Sequence, residues 1–144
     1  MTNAFAYIYR NPITTEAAYP YTGTMNTCKN VSGAFSLKNL RSYWQNKNCQ
    51  LLVDILKLRP VSVAVAADSF YWGFYKSGVL NQCSNNINHG VNLVGVKKSE
   101  TENYWRVKNS WGPDWGENGY VNIDRNLNNG NLCDICSYPQ YAIV

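Results

Sequence analysis

Four apolar, strand-like segments follow one another after residue 60, and they constrain the fold more than any other feature. They are "VSVAVAA" from residue 61 and the stretches 91–99, 103–110 and 119–125. Helical spacing is confined to two short places. In "TNAFAYIYR" the residues Ala4, Phe5, Tyr7 and Ile8 form one stripe, as in the last turns of a helix, and "CQLLVDILKLRP" reads as an amphipathic helix ended by Pro60. Between them, "NPITTEAAYPYTGTMNTCKN" is rich in Pro, Thr, Asn and Gly and reads as loop. The sequence contains no repeat, low-complexity tract or Gly/Ser linker. Little helix followed by several strands predicts an α+β chain built on an antiparallel sheet or a partly closed barrel.

Composition narrows the function classes. With 144 residues there is material for one domain with a sizeable core, and charged residues make up only 15%, which argues against disorder. Eleven tyrosines and five tryptophans suit a sheet-rich protein with amphipathic surfaces or a substrate cleft. The net charge of +4 comes from scattered Lys and Arg, so nucleic acid is not an expected partner. No apolar run approaches the ~20 residues of a membrane span. The opening "MTNAFAYIYR" lacks the pattern of a signal peptide, so an exported protein would carry its signal upstream.

Period-2 alternation locates the polar residues within the strands. In 103–110, Trp105, Val107 and Asn109 share one face, while Tyr104, Arg106 and Lys108 share the other. An inward Asn109 must find hydrogen-bond partners or cost ~1–3 kcal/mol. The only histidine, His89, stands at the mouth of the preceding strand, and a hairpin through "KKSETEN" brings it beside the end of the next one. Asn109 Oδ1 then accepts from one imidazole N–H and leaves the other ring nitrogen free. A base oriented by a third group is the usual arrangement for activating a nucleophile. Trp111 follows two residues later, where it would shield that bond from water. The competing reading is a satisfied core histidine beside a packing asparagine, and spacing alone leaves both open.

Five cysteines stand at 28, 49, 83, 133 and 136. Their spacing does not match a zinc site, because the one CxxC (Cys133 and Cys136) has no second pair. No metal or other cofactor is therefore expected. Disulfides in an oxidising compartment are the better reading, and the odd count asks for a partner outside the chain. "NVS" at Asn30 is a glycosylation acceptor pattern that agrees with such a compartment.

The wording of the His89 and Asn109 stretches, "NHGVNLVGV" and "NYWRVKNSWGPDWGENGYVNI", resembles the papain family of cysteine proteases, with a cathepsin L-like flavour. The resemblance runs nearly the whole chain, with "TNAFAYI", "EAAYPYTG", "RPVSVAVAA", "YKSGVL" and "CDICSYPQY" in family order. It implies a two-lobe fold, with residues 1–43 ending the helical lobe and 44–144 forming most of an antiparallel β-barrel lobe. It makes His89 the general base and acid, Asn109 its orienting partner, and Trp111 a cover that lines the leaving-group side of the cleft. Trp115 and Gly116 belong to the same signature as architecture. Ala64, Ile87, Asn88 and Tyr138 match the substrate pocket beside the histidine. An apolar wall of Ala64 and Ile87 implies a hydrophobic or aromatic residue at the second position before the scissile bond. Tyr138 stands where smaller residues are usual and would shorten the pocket floor. The resemblance also pairs Cys83 with Cys133. Cys49 and Cys136 are extra to the commonest pattern, which suggests a mutual bond, and Cys28 then needs a partner elsewhere.

The family's Cys-Gly-Ser-Cys-Trp stretch and its oxyanion-hole glutamine are absent from these 144 residues. The histidine of the family lies roughly 130–150 residues after the nucleophile, farther than this chain extends before His89. The expectation is a C-terminal portion of a papain-like endopeptidase, inactive alone, that acts on peptides or proteins together with an N-terminal half from the same precursor or a separate chain. A lysosomal, vacuolar or secreted location follows from the same resemblance. The alternatives are a papain-like pseudo-protease serving as a structural or binding subunit, and a carbohydrate- or peptide-binding β domain supported only by its aromatics. Smaller departures from the family pattern are Asn92, Ala66 and Asp134.

Overall fold

The computed structural model describes residues 1–29, 31, 35–36, 41–44 and 47–143, of which 41–44 are described by backbone alone; the acceptor Asn30 lies outside them. The chain forms two compact units, one of Met1–Ser42 with the last residues from Ala142, the other Tyr43–Tyr141.

In the first unit, α1 (Thr2–Arg10) ends where Asn11 donates both its backbone and its side-chain N–H to Tyr7 O. No residue of α1 is buried, so little apolar burial holds it. Beyond it lie an isolated bridge between Ile13 and Phe35 and a turn in which Glu16 Oε1 accepts the Tyr21 N–H at 2.7 Å.

The second unit begins within β1 (Arg41–Trp44) and continues through α2 (Cys49–Leu56), β2 (Val61–Val65), α3 (Phe70–Gly73), β3 (Val79–Leu80), β4 (His89–Lys98), β5 (Asn103–Lys108), β6 (Tyr120–Asp124) and β7 (Gln140–Ile143). Helix α2 starts at Asn48, whose side chain accepts the Leu51 N–H at 3.1 Å, and it buries Leu52 and Ile55. The strands lie in the order β7-β2-β4-β5-β6-β3, with β1 outside β7. All the ladders between β2, β4, β5, β6 and β7 are antiparallel, but β3 runs parallel to β6. The sheet is antiparallel as expected apart from this one short pair, which the sequence reading did not separate. A two-residue strand bounded by loops leaves too short a pattern in the sequence to be read.

Alternation carries the core. Val61, Val63 and Val65 of β2 are fully buried, as are Leu93, Trp105, Val107, Val121 and Ile123 on the neighbouring strands. Each contributes ~1.5–3 kcal/mol of apolar burial. In β4 the register shifts between Leu93 and Gly95, so the partners run from Leu93–Val107 to Val96–Trp105. This bulge changes the phase of the alternation and bends the hairpin that brings His89 back toward Asn109. The hairpin turn closes where Ser99 N–H donates to Glu102 O and Ser99 Oγ accepts the Glu102 N–H. Disulfides Cys49–Cys136 and Cys83–Cys133 tie α2, and the segment that leads to His89, to the turns before β7. Those turns (Leu127–Gly130 and Leu132–Asp134), like α3, have no counterpart in the sequence reading, being too short for a period.

Candidate active site

His89 opens β4 opposite Val65, the last residue of β2. The approach to it is stapled to β2: the Asn88 N–H donates to Val65 O at 3.1 Å, and Asn88 Oδ1 accepts the Ala67 N–H at 3.0 Å. Asn109 lies one residue beyond β5, where its backbone N–H donates to Gly119 O at 2.9 Å and closes the base of the loop 109–119. Its side chain is buried, on the face that also carries Trp105 and Val107.

The two side chains meet. His89 Nε2 is 2.8 Å from Asn109 Oδ1, and the same oxygen accepts the Ser110 N–H at 2.8 Å. A backbone N–H can only donate, so the atom it faces is the carbonyl oxygen rather than the amide nitrogen. That oxygen can only accept, so Nε2 carries the proton. In neutral His89 the lone pair is then on Nδ1, which has no protein partner among the described residues. The tautomer follows from a chain of obligatory donors and acceptors.

Aromatic rings enclose the pair. Trp111 lies beside the imidazole with ring centres 5.2 Å apart and planes tilted by 32°, and the fully buried Trp72 meets it edge-on at 6.5 Å. Trp115 stacks between Trp72 and Tyr75 and presents an edge to Trp111. Its Nε1 donates to Gly73 O at 3.3 Å, which ties the loop to α3. Gly116 is required here: its φ is +57°, and a Cβ would come within 2.5 Å of Tyr120 O.

A polar cluster lies behind the loop. The Glu117 carboxylate accepts from Arg106 Nη1 at 2.5 Å, from the Gly78 N–H at 2.9 Å and from Asn122 Nδ2 at 3.3 Å, with the Tyr75 hydroxyl 3.1 Å away. The Tyr75 O–H donates to Gly78 O at 2.6 Å. Partial burial alone would raise the Glu117 pKa, but the bonds from Arg106 and the Gly78 N–H outweigh it and hold the carboxyl below its ordinary value. Burial, with the negative Glu117 beside it, pushes Tyr75 up to about 12. Sequence reasoning missed this cluster, although Asn122 inside the apolar "YVNID" was a signal that a buried amide needed partners.

The other candidate residues are spread around His89. Ala64 pairs with Gly90 and is half-buried, as is Ile87, while Asn88 is exposed with its side-chain oxygen already engaged by Ala67. Ser62 pairs with Gln140, and this antiparallel register carries Ala64 and Tyr138 toward the same end of the β2–β7 pair. Tyr138 and Trp111 are both about half exposed, at 52% and 46%. Cys28 is unpaired and exposed in the first unit. Among the described residues no cluster of side chains could hold a metal ion, and no helix is long and apolar enough to cross a membrane.

The chain is 38% identical over 144 residues to "Cathepsin L 2" of Paramecium tetraurelia, covering all of this chain and 43% of that protein. It is 39% identical over 150 aligned positions to "Vignain" of Phaseolus vulgaris, covering 99% of this chain and 41% of the relative. The structure of digestive procathepsin L2 from the larval midgut of Tenebrio molitor superposes with a TM-score of 0.85 at 33% identity, covering 100% of this chain and 47% of that one. The chain thus spans less than half the length of these relatives. The fold is the α+β fold of papain-like proteases, represented by its C-terminal portion. The family model described as papain family cysteine protease matches residues 1–143, and the chain belongs to that family.

Proposed function

We propose that this chain is the C-terminal part of a papain-like cysteine endopeptidase, in which His89 is the general base and acid and Asn109 orients it. The observation that carries the reading is the 2.8 Å contact of His89 Nε2 with an Asn109 oxygen whose identity the Ser110 N–H dictates. It leaves the Nδ1 lone pair available for a thiol. The nucleophilic cysteine belongs to a segment outside these 144 residues, and the N-terminal half that carries it is the chain's partner. The residues 1–43 end the helical lobe, and 44–144 make most of the β-barrel lobe.

In this mechanism Nδ1 takes the thiol proton, and the resulting thiolate attacks the peptide carbonyl. The imidazolium returns that proton to the leaving amine as the C–N bond breaks, which gives a thioester. Water then loses a proton to the same nitrogen and attacks the thioester, and the returning proton restores the thiol as the acid product leaves. Asn109 keeps the ring turned so that Nδ1 faces the reaction throughout. Trp111 lines the leaving-group side and keeps water from the His89–Asn109 bond. Ala64, Ile87, Asn88 and Tyr138 form the pocket for the residue before the cleaved one, and its apolar wall favours a hydrophobic or aromatic side chain. Two disulfides support a lysosomal, vacuolar or secreted location.

The test is co-production of the chain with an upstream segment bearing the family's cysteine stretch. Peptide hydrolysis is then measured for the assembled protein, for His89→Ala, and for the 144-residue chain alone. The expected result is turnover only in the assembled, unaltered protein. Turnover by the His89→Ala assembly would refute the assignment. A stable assembly that never turns over would favour the inactive-subunit alternative.

A further inference from the structure

We infer that Glu117 is a positioning residue for the His89–Asn109 pair: its carboxylate locks the loop 109–119, and with it the direction in which Asn109 presents its oxygen to the imidazole. The inference rests on the reading of that pair as the working unit, and it concerns a residue hydrogen-bonded to neither side chain of the pair.

The argument starts from how loosely the Asn109 amide is held. Its oxygen has two donors, but its buried Nδ2 has no hydrogen-bond partner among the described residues. Apart from the imidazole it serves, the Ser110 N–H is the one hydrogen-bond donor among the described residues that fixes the amide's rotation. Any movement of the backbone at Asn109 and Ser110 is therefore passed directly to Oδ1. That backbone is held by the loop's closure, Asn109 N–H to Gly119 O at 2.9 Å and Gly119 N–H to Trp115 O at 2.8 Å.

Glu117 sits between those two closing residues, and its carboxylate gathers donors from three other elements. Arg106 comes from β5, three residues before Asn109; Asn122 comes from β6; the Gly78 N–H comes from the turn before β3. Arg106 and Asn122 are directly paired across β5 and β6, so the carboxylate bridges the strand that enters the loop and the strand that leaves it. Arg106 lies on the face opposite Trp105, Val107 and Asn109. The loop is thus clamped from the far side of the sheet while it presents Asn109 on the near side. Without the negative charge, Arg106 is left half-buried with no ion partner, and the Gly78 N–H must find another acceptor.

The single histidine makes the effect readable without turnover. This chain is labelled with 15N-histidine, so that His89 supplies both ring-nitrogen signals, and these report the tautomer and the hydrogen bond at Nε2. The second unit, which holds the site, has its own buried core and two disulfides. Glu117→Gln is expected to shift both signals in the direction that Asn109→Ala shifts them. The double variant is expected to match Asn109→Ala, because the effect passes through that residue. Glu102→Gln, which removes only an exposed partner of Lys97, serves as the unchanged control. If Glu117→Gln costs the chain its cooperative unfolding, Glu117→Asp replaces it. Aspartate keeps the charge but withdraws the carboxylate, and it should give a smaller shift in the same direction. Unmoved His89 signals in a folded Glu117 variant, with Asn109→Ala moving them, would overturn the positioning role. Signals that Asn109→Ala also leaves unmoved would instead remove the His89–Asn109 unit itself.

Discussion

Replacing Asn109 by alanine should separate catalysis from stability. The change deletes an oxygen that accepts from His89 Nε2 and from the Ser110 N–H, each at 2.8 Å. Two ordinary hydrogen bonds are worth about 1 kcal/mol each. The deletion also removes a buried Nδ2 that has no partner among the described residues, an arrangement that itself costs about 1–3 kcal/mol. Truncation to a methyl opens space beside the two stranded donors, which water can then fill although Trp111 shields the intact bond. The opposing contributions nearly cancel, and the folded state should change by no more than about 1 kcal/mol. On the proposed mechanism, turnover has no such compensation. When His89 becomes an imidazolium, its bond to Asn109 is charge-assisted and worth about 1.5–3 kcal/mol. At 1.36 kcal/mol per factor of ten, kcat should fall about 10- to 150-fold. The assay pairs steady-state peptide hydrolysis by the assembled protease with chemical denaturation of the same preparations. An Asn109→Ala enzyme with kcat within about twofold of the original would show that the amide does not orient the base. A loss of activity matched by an equal loss of folded protein would show that Asn109 is a packing residue.

Removing the Cys83–Cys133 bond as Cys83→Ala with Cys133→Ala opens a loop with a sequence separation of 50, and should destabilise the second unit by about 4 kcal/mol in a urea titration. Glu117 has a folded pKa below its unfolded one, so its charge contributes stability that is complete above the ordinary carboxylate range and fades as pH falls through the folded value. Acid unfolding of Glu117→Gln should lack that component, and an unchanged acid profile would count against the clamp. Tyr75 has the opposite sign, with a pKa raised to about 12, so stability present below pH 10 should be lost as pH rises toward 12. Tyr75→Phe should flatten that alkaline limb in thermal melts. In the assembled protease Ala64→Glu should improve cleavage of substrates with Arg at the second position before the scissile bond by about 1 kcal/mol, or roughly fivefold in kcat/KM. No change in preference would remove Ala64 from the pocket.

The sequence alone determined those parts of the protein that rest on local repetition or on specific wording. Burial alternates along β2 and β5 because a strand's side chains do, so Trp105 and Val107 were legible as one inward set with Asn109 continuing it, and "VSVAVAA" was legible as a strand. Helices α1 and α2 were legible from their stripes, and the family from the order of its motifs. Tertiary structure alone decided which nitrogen of His89 carries the proton, because that depends on the Ser110 N–H facing Asn109 Oδ1. It decided that β3 lies parallel to β6, and that the bulge after Leu93 resets the phase of β4. It also brought the Gly78 N–H to Glu117 across 39 residues of sequence. A period can be read along a chain because each residue's neighbours enforce it. The donors to the half-buried Glu117 carboxylate arrive from separate elements, and their meeting is set by the packing of the whole sheet, which no local pattern records.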